Sequence, residues 1–137
     1  MIELRFIIEG GDFDRAGNAS SETKKILKQL NIDPKVVKRT VVALYEGEVN
    51  IAAHAYRGVV NISVSDHRIR AILIDEGPGI DDISRAMLEG YSTASPKVRE
   101  MGFGAGMGLP NMKKNADELL VESTPGEGTT VKMIFDF

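Results

Sequence analysis

Three polar side chains recur every four residues in the middle of the chain: Glu46, Asn50 and His54. This spacing stacks them on one face of a helix. A carboxylate there can accept a proton from an attacking hydroxyl. An amide oxygen one turn away suits Mg2+, which prefers oxygen ligands and keeps waters and phosphates at its other positions. His54 is more often structural than catalytic in such a setting, and a plain solvated face is the alternative for the whole row.

The residues around this row favour burial over a solvated face. Val49, Ile51 and Ala52 make this the least polar part of the predicted helix, and buried polar groups without partners are costly. Glu48 lies roughly 200° around the helix from Glu46. We therefore predict that Glu48 is a surface charge.

A second group, Asp75–Gly79, follows a predicted strand. Asp75 shares its side of that strand with Leu73, so its carboxylate is expected to project inward at the strand end. It could accept a hydrogen bond there from an exocyclic amine, while Gly77 and Gly79 let the backbone approach a flat ring. This arrangement would recognise a base such as adenine, although an ordinary turn uses the same residue types.

A third group is the glycine-rich run at 102–109. It lacks the lysine and Ser or Thr of a P-loop, and it does not follow a strand as a dinucleotide-binding motif does. Alternate glycines that lead into a helix can present free N–H groups to an anion, aided by the helix dipole, whereas a flexible linker is the alternative. The preceding segment, 91–101, is predicted to close over phosphates as a lid, with Lys97 or Arg99 as charge partner.

The final strand offers a fourth polar group at its start. Thr129 shares parity with Val131 and Phe135 and is expected to face the core, whereas Thr130 faces the other way. We select Thr129 for a nucleotide contact. A glycine turn followed by ordinary β-branched strand residues is the alternative.

Composition narrows the classes of protein that could use these groups. The 137 residues carry a formal net charge of -3, are 42% hydrophobic and include no cysteine. This predicts one compact domain over residues 1–137 without the basic surface that nucleic acid requires. Thiol chemistry is excluded, and two distant histidines argue against a His-based metal site. Because no stretch approaches ~20 apolar residues and the start lacks signal-peptide features, we expect a soluble cytoplasmic protein without membrane contact.

Hydrophobic periodicity predicts the elements that position these groups. Asp33 and Pro34 mark the start of the long helix, as N-cap and first-turn proline. Strands with one polar face predict an α+β two-layer sandwich with helices on one side of the sheet. The predicted strands are 2–9, 59–65, 68–74, 118–122 and 129–137, and the predicted helices are 16–30, 34–56, 82–89 and 109–116.

Together these groups resemble the ATP-binding fold of gyrase, a class of heat-shock chaperones, histidine kinases and MutL, the GHKL superfamily or Bergerat fold. Glu46–Asn50 is similar to its N box, Asp75–Gly79 to its first glycine box, the run at 102–109 to its second, and Gly128 with Thr129 to its closing Gly-Thr element. The resemblance covers residues 40–135. It implies a mostly antiparallel mixed sheet and ATP held between the sheet and the helices.

Within that superfamily the chain resembles the bacterial anti-sigma-factor serine kinases and the related switch serine kinases of stress signalling. The resemblance implies transfer of phosphate from ATP, with Mg2+, to a serine of a STAS-domain regulator, a sigma factor as a further partner, and a homodimer. It makes Glu46 the catalytic base, Asn50 the magnesium ligand and Asp75 the adenine anchor. With the lid cations and Thr129 included, the expected nucleotide-binding residues are Asn50, Asp75, Gly77, Gly79, Lys97, Arg99, Gly104, Ala105, Gly106, Met107, Gly108, Leu109 and Thr129.

Two positions depart from the kinase pattern. Tyr45 and Gly47 stand where these kinases more often carry Ser and Ala, and glycine inside a helix costs about 1 kcal/mol relative to alanine. This departure supports a second hypothesis, in which the chain is a nucleotide-responsive module that sequesters a sigma factor or regulatory protein without phosphorylating it.

Overall fold

The computed structural model describes residues 1–88 and 108–137. Its elements agree with the sequence prediction to within a few residues; the long helix ends at His54 and the short third helix at Ala86, before their predicted ends. In chain order they are β1 (Ile2–Glu9), α1 (Asn18–Gln29), α2 (Pro34–His54), β2 (Arg57–Val64), β3 (Arg68–Glu76), α3 (Ile83–Ala86), α4 (Gly108–Asn115), β4 (Glu118–Thr124) and β5 (Gly128–Asp136).

The five strands form one antiparallel sheet in the order β1-β2-β3-β5-β4. β2 and β3 are joined as a tight hairpin, and Val64 pairs with Ile69 across it. β3 lies at the centre, between β2 and β5. The start of β5 therefore lies beside the end of β3, which brings the second and fourth polar groups of the sequence together.

The sheet has one covered face and one open face. Val60 and Ile62 of β2 and Ile69 of β3 are buried beneath the helices, whereas Ile7, Ile74 and Leu120 point to the other side and are 63%, 46% and 50% exposed. Within residues 1–88 and 108–137 the helices pack on one face only, which confirms the predicted two-layer α+β fold.

The start of α2 confirms the predicted capping signal. The Asp33 side chain accepts a hydrogen bond from the backbone N–H of Lys35 at 2.8 Å, and Pro34 occupies the first turn. The helix runs for 21 residues and ends where Ala55 takes up extended backbone. Among the helices in the described ranges, neither this one nor any other combines the length and apolar character needed to span a bilayer.

Glu48 contradicts the prediction of a surface charge. Its side chain is 1% exposed, and its two carboxylate oxygens accept hydrogen bonds from the backbone N–H groups of Ala19 at 2.8 Å and Ser20 at 3.0 Å. These N–H groups belong to the first turn of α1, whose N-cap is Gly17 and has no side chain to bond them. The periodicity was right about the direction of Glu48, but it could not show that the end of another helix occupies that side.

Candidate functional site

Two adjacent rows of α2 face different neighbours. The row of Gly47, Ile51 and Ala55 faces the sheet: a Cβ built on Gly47 would collide with Leu73, and Ile51 packs against Gly58 of β2. The row of Glu46, Asn50 and His54 is one residue offset, hence about 100° further round the helix, and is half-buried. This second row borders α4, so the predicted polar face lines a boundary between two helices.

α2 and β3 run side by side across the site. Gly47 packs on Leu73, and a Cβ on Gly77 would lie 2.9 Å from the Cα of Ala55. Eight residues of helix rise about 12 Å and four residues of strand about 13 Å, so the two segments have similar lengths between these contacts. Asp75 lies midway between the two strand-side residues of these contacts.

The first turn of α4 contacts both N-box side chains. A Cβ on Gly108 would lie 2.8 Å from Nδ2 and 2.9 Å from Oδ1 of Asn50, so a larger residue there would collide with the amide. Asn111 donates from Nδ2 to Oε1 of Glu46 at 3.0 Å. The side chain of Leu109 is buried in the core, which leaves only its backbone available to a ligand.

Asp75 and Thr129 meet where β3 ends and β5 begins. The N–H of Thr129 donates to Oδ1 of Asp75 at 3.1 Å, and Thr129 is half-buried on the predicted side. Gly128 has φ 152°, and a Cβ there would collide with the carbonyl of Asp75. Burial raises the pKa of the Asp75 carboxyl above its usual range, and the bond from Thr129 opposes this only in part.

Ser123 of β4 links the segment after β3 to the start of β5, and the sequence analysis missed it. Its Oγ accepts from the N–H of Ile80 at 2.7 Å, donates to the carbonyl of Gly128 at 3.0 Å and lies 2.9 Å from Oγ1 of Thr129. Nothing in a lone serine on a short strand marks this role. Its pairing with Thr129 across the β4–β5 register is the signal that could have found it.

The loop at Asp75–Gly79 is held against the turn between β4 and β5. Gly77 donates to the carbonyl of Glu127 at 3.1 Å, and Gly126 donates to the carbonyl of Pro78 at 2.8 Å. Gly79 has φ 75°, and a Cβ there would lie 2.6 Å from the carbonyl oxygen of Thr124. A residue without a side chain is therefore required at Gly79.

His54 lies at the end of the polar row of α2. Burial lowers the pKa of its imidazole below the usual value, which favours the uncharged ring at neutral pH. In residues 1–88 and 108–137, no group of three His, Asp or Glu side chains is placed to hold a metal ion by itself. A cation here would depend on Asn50 together with oxygens of a bound ligand.

The structure thus brings together Glu46, Asn50 and Gly108 on one side and Asp75, Gly77, Gly79 and Thr129 on the other. Apart from Leu109, whose side chain is in the core, the remaining predicted site residues lie outside the described ranges. They are the lid cations Lys97 and Arg99 and the second-glycine-box residues Gly104, Ala105, Gly106 and Met107.

Comparisons with known proteins agree with this arrangement. Residues 12–135 match the family described as Histidine kinase-like ATPase domain. An anti-sigma F factor from Caldanaerobacter subterraneus subsp. tengcongensis is 33% identical over 138 residues, which cover 97% of this chain and 91% of that protein. The serine/threonine-protein kinase RsbT of Bacillus subtilis is 33% identical over 115 residues, covering 81% of this chain and 80% of that protein.

Solved structures show the same fold at lower identity. The RsbU and RsbW domains of Rv1364c from Mycobacterium tuberculosis superpose with a TM-score of 0.65 and 17% identity, covering 98% of this chain and 32% of that chain. The mycobacterial sensor histidine kinase MprB superposes with a TM-score of 0.56 and 15% identity, covering 98% of this chain and 97% of that chain. At these identities the likeness describes the architecture alone.

Proposed function

The chain belongs to the family of histidine kinase-like ATPase domains, and from this premise we propose that it is an ATP- and Mg2+-dependent protein-serine kinase of the anti-sigma and switch type. Relatives named anti-sigma F factor and serine/threonine-protein kinase support the proposal. The observation that carries it is the alignment of Glu46 and Asn50 on the flank of α2 that borders α4, while the neighbouring row of α2 packs on β3, the strand that carries Asp75 near its end.

The adenine of ATP is assigned to the end of β3. Oδ1 of Asp75 is engaged by the N–H of Thr129, so the other carboxylate oxygen is available to accept from the exocyclic amine. Gly77 and Gly79 allow the adjacent backbone to pack closely against Ala55 and Thr124, and Thr129 lines the same end of the site. The half-buried position of Asp75 strengthens a hydrogen bond made there.

The residues present fit a magnesium ion at Asn50. The absence of a side chain at Gly108 lets α4 approach the Asn50 amide without a collision, and an amide oxygen is a ligand type that Mg2+ accepts. When bound, the ion would neutralise charge that develops on the transferring phosphoryl group. Gly108 and Leu109 begin α4, where backbone N–H groups at the positive end of the helix dipole favour phosphate. Lys97, Arg99 and the residues 104–107 are assigned to the same phosphates.

Glu46 is assigned the role of general base. Its carboxylate accepts the proton of the acceptor serine while the serine oxygen forms a bond to the γ-phosphorus, and the bond from that phosphorus to the β,γ-bridging oxygen breaks to release ADP. Such a reaction depends mainly on positioning and charge stabilisation. A single small domain can therefore perform it when a partner protein supplies the hydroxyl.

The proposed acceptor is a STAS-domain regulator, and a sigma factor is proposed as a second protein partner. The assignment covers residues 1–137 as one kinase domain acting in the cytoplasm, with homodimer formation as a further part of the proposal. The names of the relatives support protein partners of this class.

The test is incubation of the protein with γ-labelled ATP, Mg2+ and a panel of STAS-domain proteins, followed by mapping of the labelled residue. We expect a labelled serine on one STAS protein and no label when Mg2+ is chelated. Complex formation that depends on ATP but leaves no label on any panel member would favour the nucleotide-responsive binding module instead.

One observation removes part of the support for that alternative. The departure at Gly47 has a packing reason, because a methyl group there would collide with the buried side chain of Leu73. The glycine therefore reflects a close approach between helix and sheet, and it need not reflect a loss of catalysis at the neighbouring Glu46.

A further inference from the structure

Asn111 is the polar side chain of α4 that reaches the carboxylate of Glu46. Its Nδ2 lies 3.0 Å from Oε1 of Glu46, across 65 positions of sequence. Both side chains are half-buried. The chemistry described above gives Asn111 no role, although it touches the group assigned as base.

The backbone of α4 is fixed at both ends, so Asn111 presents its amide from a firm position. At the start, Gly108 lies against Asn50, and Met112 is completely buried in the core. At the end, Nη1 of Arg39, which belongs to α2, donates to the carbonyl of Asn115 at 3.0 Å. The helix that carries Asn111 is therefore tied to the helix that carries Glu46.

We propose that Asn111 is a positioning residue that orients the Glu46 carboxylate for proton transfer. It holds Oε1 and leaves Oε2 to accept the proton of the serine hydroxyl. The inference rests on the proposed kinase function. An uncharged amide suits this task, because a lysine or arginine at the same place would form a charge-assisted bond that stabilises the ionised base and makes it less basic.

Orientation matters here because a glutamate side chain has several rotatable bonds and loses rotamer freedom when it is held. A base that is held in its productive rotamer does not have to find it in each turnover, and a misplacement of about 1 Å can lower a rate about 100-fold. We expect loss of the Asn111 amide to slow transfer about 10- to 100-fold and to leave ATP binding unchanged.

The test is a double-mutant cycle on single-turnover phosphoryl transfer at saturating ATP. Asn111→Ala is expected to lower the rate about 10- to 100-fold without changing the dissociation constant of ATP measured by calorimetric titration, and to cause no further loss in a Glu46→Gln background. Asn115→Ala is the matched control, because it removes an amide from the same helix. The Nδ2 of Asn115 donates to the carbonyl of Asn111, and this amide does not contact Glu46. Equal rates for Asn111→Ala and the parent, or an equal loss in both backgrounds, would overturn the proposal.

Crystal structures of the parent and Asn111→Ala supply a readout that does not depend on activity. We expect the Glu46 carboxylate to keep one orientation in the parent and to leave it in the variant, while α4 stays in place. A parent that transfers no phosphate but shows this change would overturn the proposed function and support the positioning role. A Glu46 carboxylate unmoved in the variant would overturn the positioning role, whatever the activity.

Discussion

The two sides of α2 use the same kind of side chain for different purposes. On the side that faces α1, Glu48 is buried and its oxygens are taken up by two backbone N–H groups. On the side that faces α4, Glu46 is half-buried and its Oε1 accepts a hydrogen bond from Asn111. Two glutamates two residues apart therefore differ in what packs against them. Both oxygens of Glu48 are bonded to the start of α1, whereas Glu46 borders the proposed nucleotide site.

Removing the carboxylate on the α4 side should have the largest effect. Glu46→Gln is expected to lower phosphoryl transfer roughly 10² to 10⁴-fold, the range typical of a general base, with little change in the dissociation constant of ATP. Rapid-quench measurement of transfer and calorimetric titration of ATP test this. Glu118→Gln, an exposed carboxylate on β4, is the control, and transfer by Glu46→Gln at the parent rate would remove Glu46 from its role.

On the α1 side the corresponding change should affect folding instead. Glu48→Gln leaves one acceptor oxygen for two N–H groups and turns an NH2 group toward the other, so we expect a loss of about 2–3 kcal/mol in the free energy of unfolding. Urea unfolding measures it. Glu22→Gln in α1 removes only an exposed pair with Lys25 and should change stability by less than about 0.5 kcal/mol. Equal stability of the two variants would contradict the capping role of Glu48.

At the far end of the site, Asp75→Asn should weaken ATP binding by about 1–3 kcal/mol. The asparagine oxygen can still accept from Thr129, so the fold is retained, but an NH2 group now faces the adenine amine. Calorimetric titration of ATP measures the change. An unchanged dissociation constant would contradict the assignment of the base to this position.

The raised pKa of Asp75 predicts how pH acts on folding stability and on the hydrogen bond between Asp75 and adenine. Between the usual carboxyl pKa and the raised one, the folded protein binds more protons than the unfolded chain, so this group lowers the free energy of unfolding as pH rises through that window. The ionised carboxylate is the better acceptor, so ATP affinity should rise with pH over the same window. The ATP phosphates titrate in the same way with Asp75→Asn, but this variant should lack the contribution of the Asp75 carboxyl to the pH dependence of ATP affinity. Identical pH profiles of ATP affinity for the two proteins would contradict this expectation.

The smallest expected effect tests the packing between α1 and α2. Thr23 is completely buried, and within residues 1–88 and 108–137 its hydroxyl finds no hydrogen-bond partner. Thr23→Val keeps the shape and should raise the free energy of unfolding by about 1 kcal/mol. Thr40→Val is the matched control, because the buried Thr40 hydroxyl donates to the carbonyl of Val36 at 2.8 Å and its loss should destabilise by a similar amount. A loss of stability in both variants would show that Thr23 has a partner after all.

Local patterns in the sequence predicted those parts of the site that depend on one element. Spacing by four placed Glu46 and Asn50 on one face of a helix, and alternation placed Asp75 and Thr129 on the inner side of their strands. The capping pair Asp33 and Pro34 correctly marked where α2 begins. These features follow from helical and strand periodicity, which act over a few residues.

Features that depend on two distant elements could not be read in the same way. Glu48 meets α1 across 28 and 29 positions, and Asn111 meets Glu46 across 65. Ser123 joins a loop 43 positions away to its neighbour on β5. Each partner is chosen by tertiary packing, and the side chain itself gives no sign of it. Periodicity shows the direction of a residue, whereas the chain that comes to lie there decides its role.

The most direct measurement is a crystal structure of the protein with Mg2+ and a non-hydrolysable ATP analogue. The expected result is a purine whose exocyclic amine contacts Asp75, a metal ion bound by the Asn50 oxygen, and Oε2 of Glu46 directed toward the γ-phosphate. A nucleotide bound elsewhere on the molecule, or a boundary between α2 and α4 that stays closed by packed side chains at saturating analogue, would contradict the account.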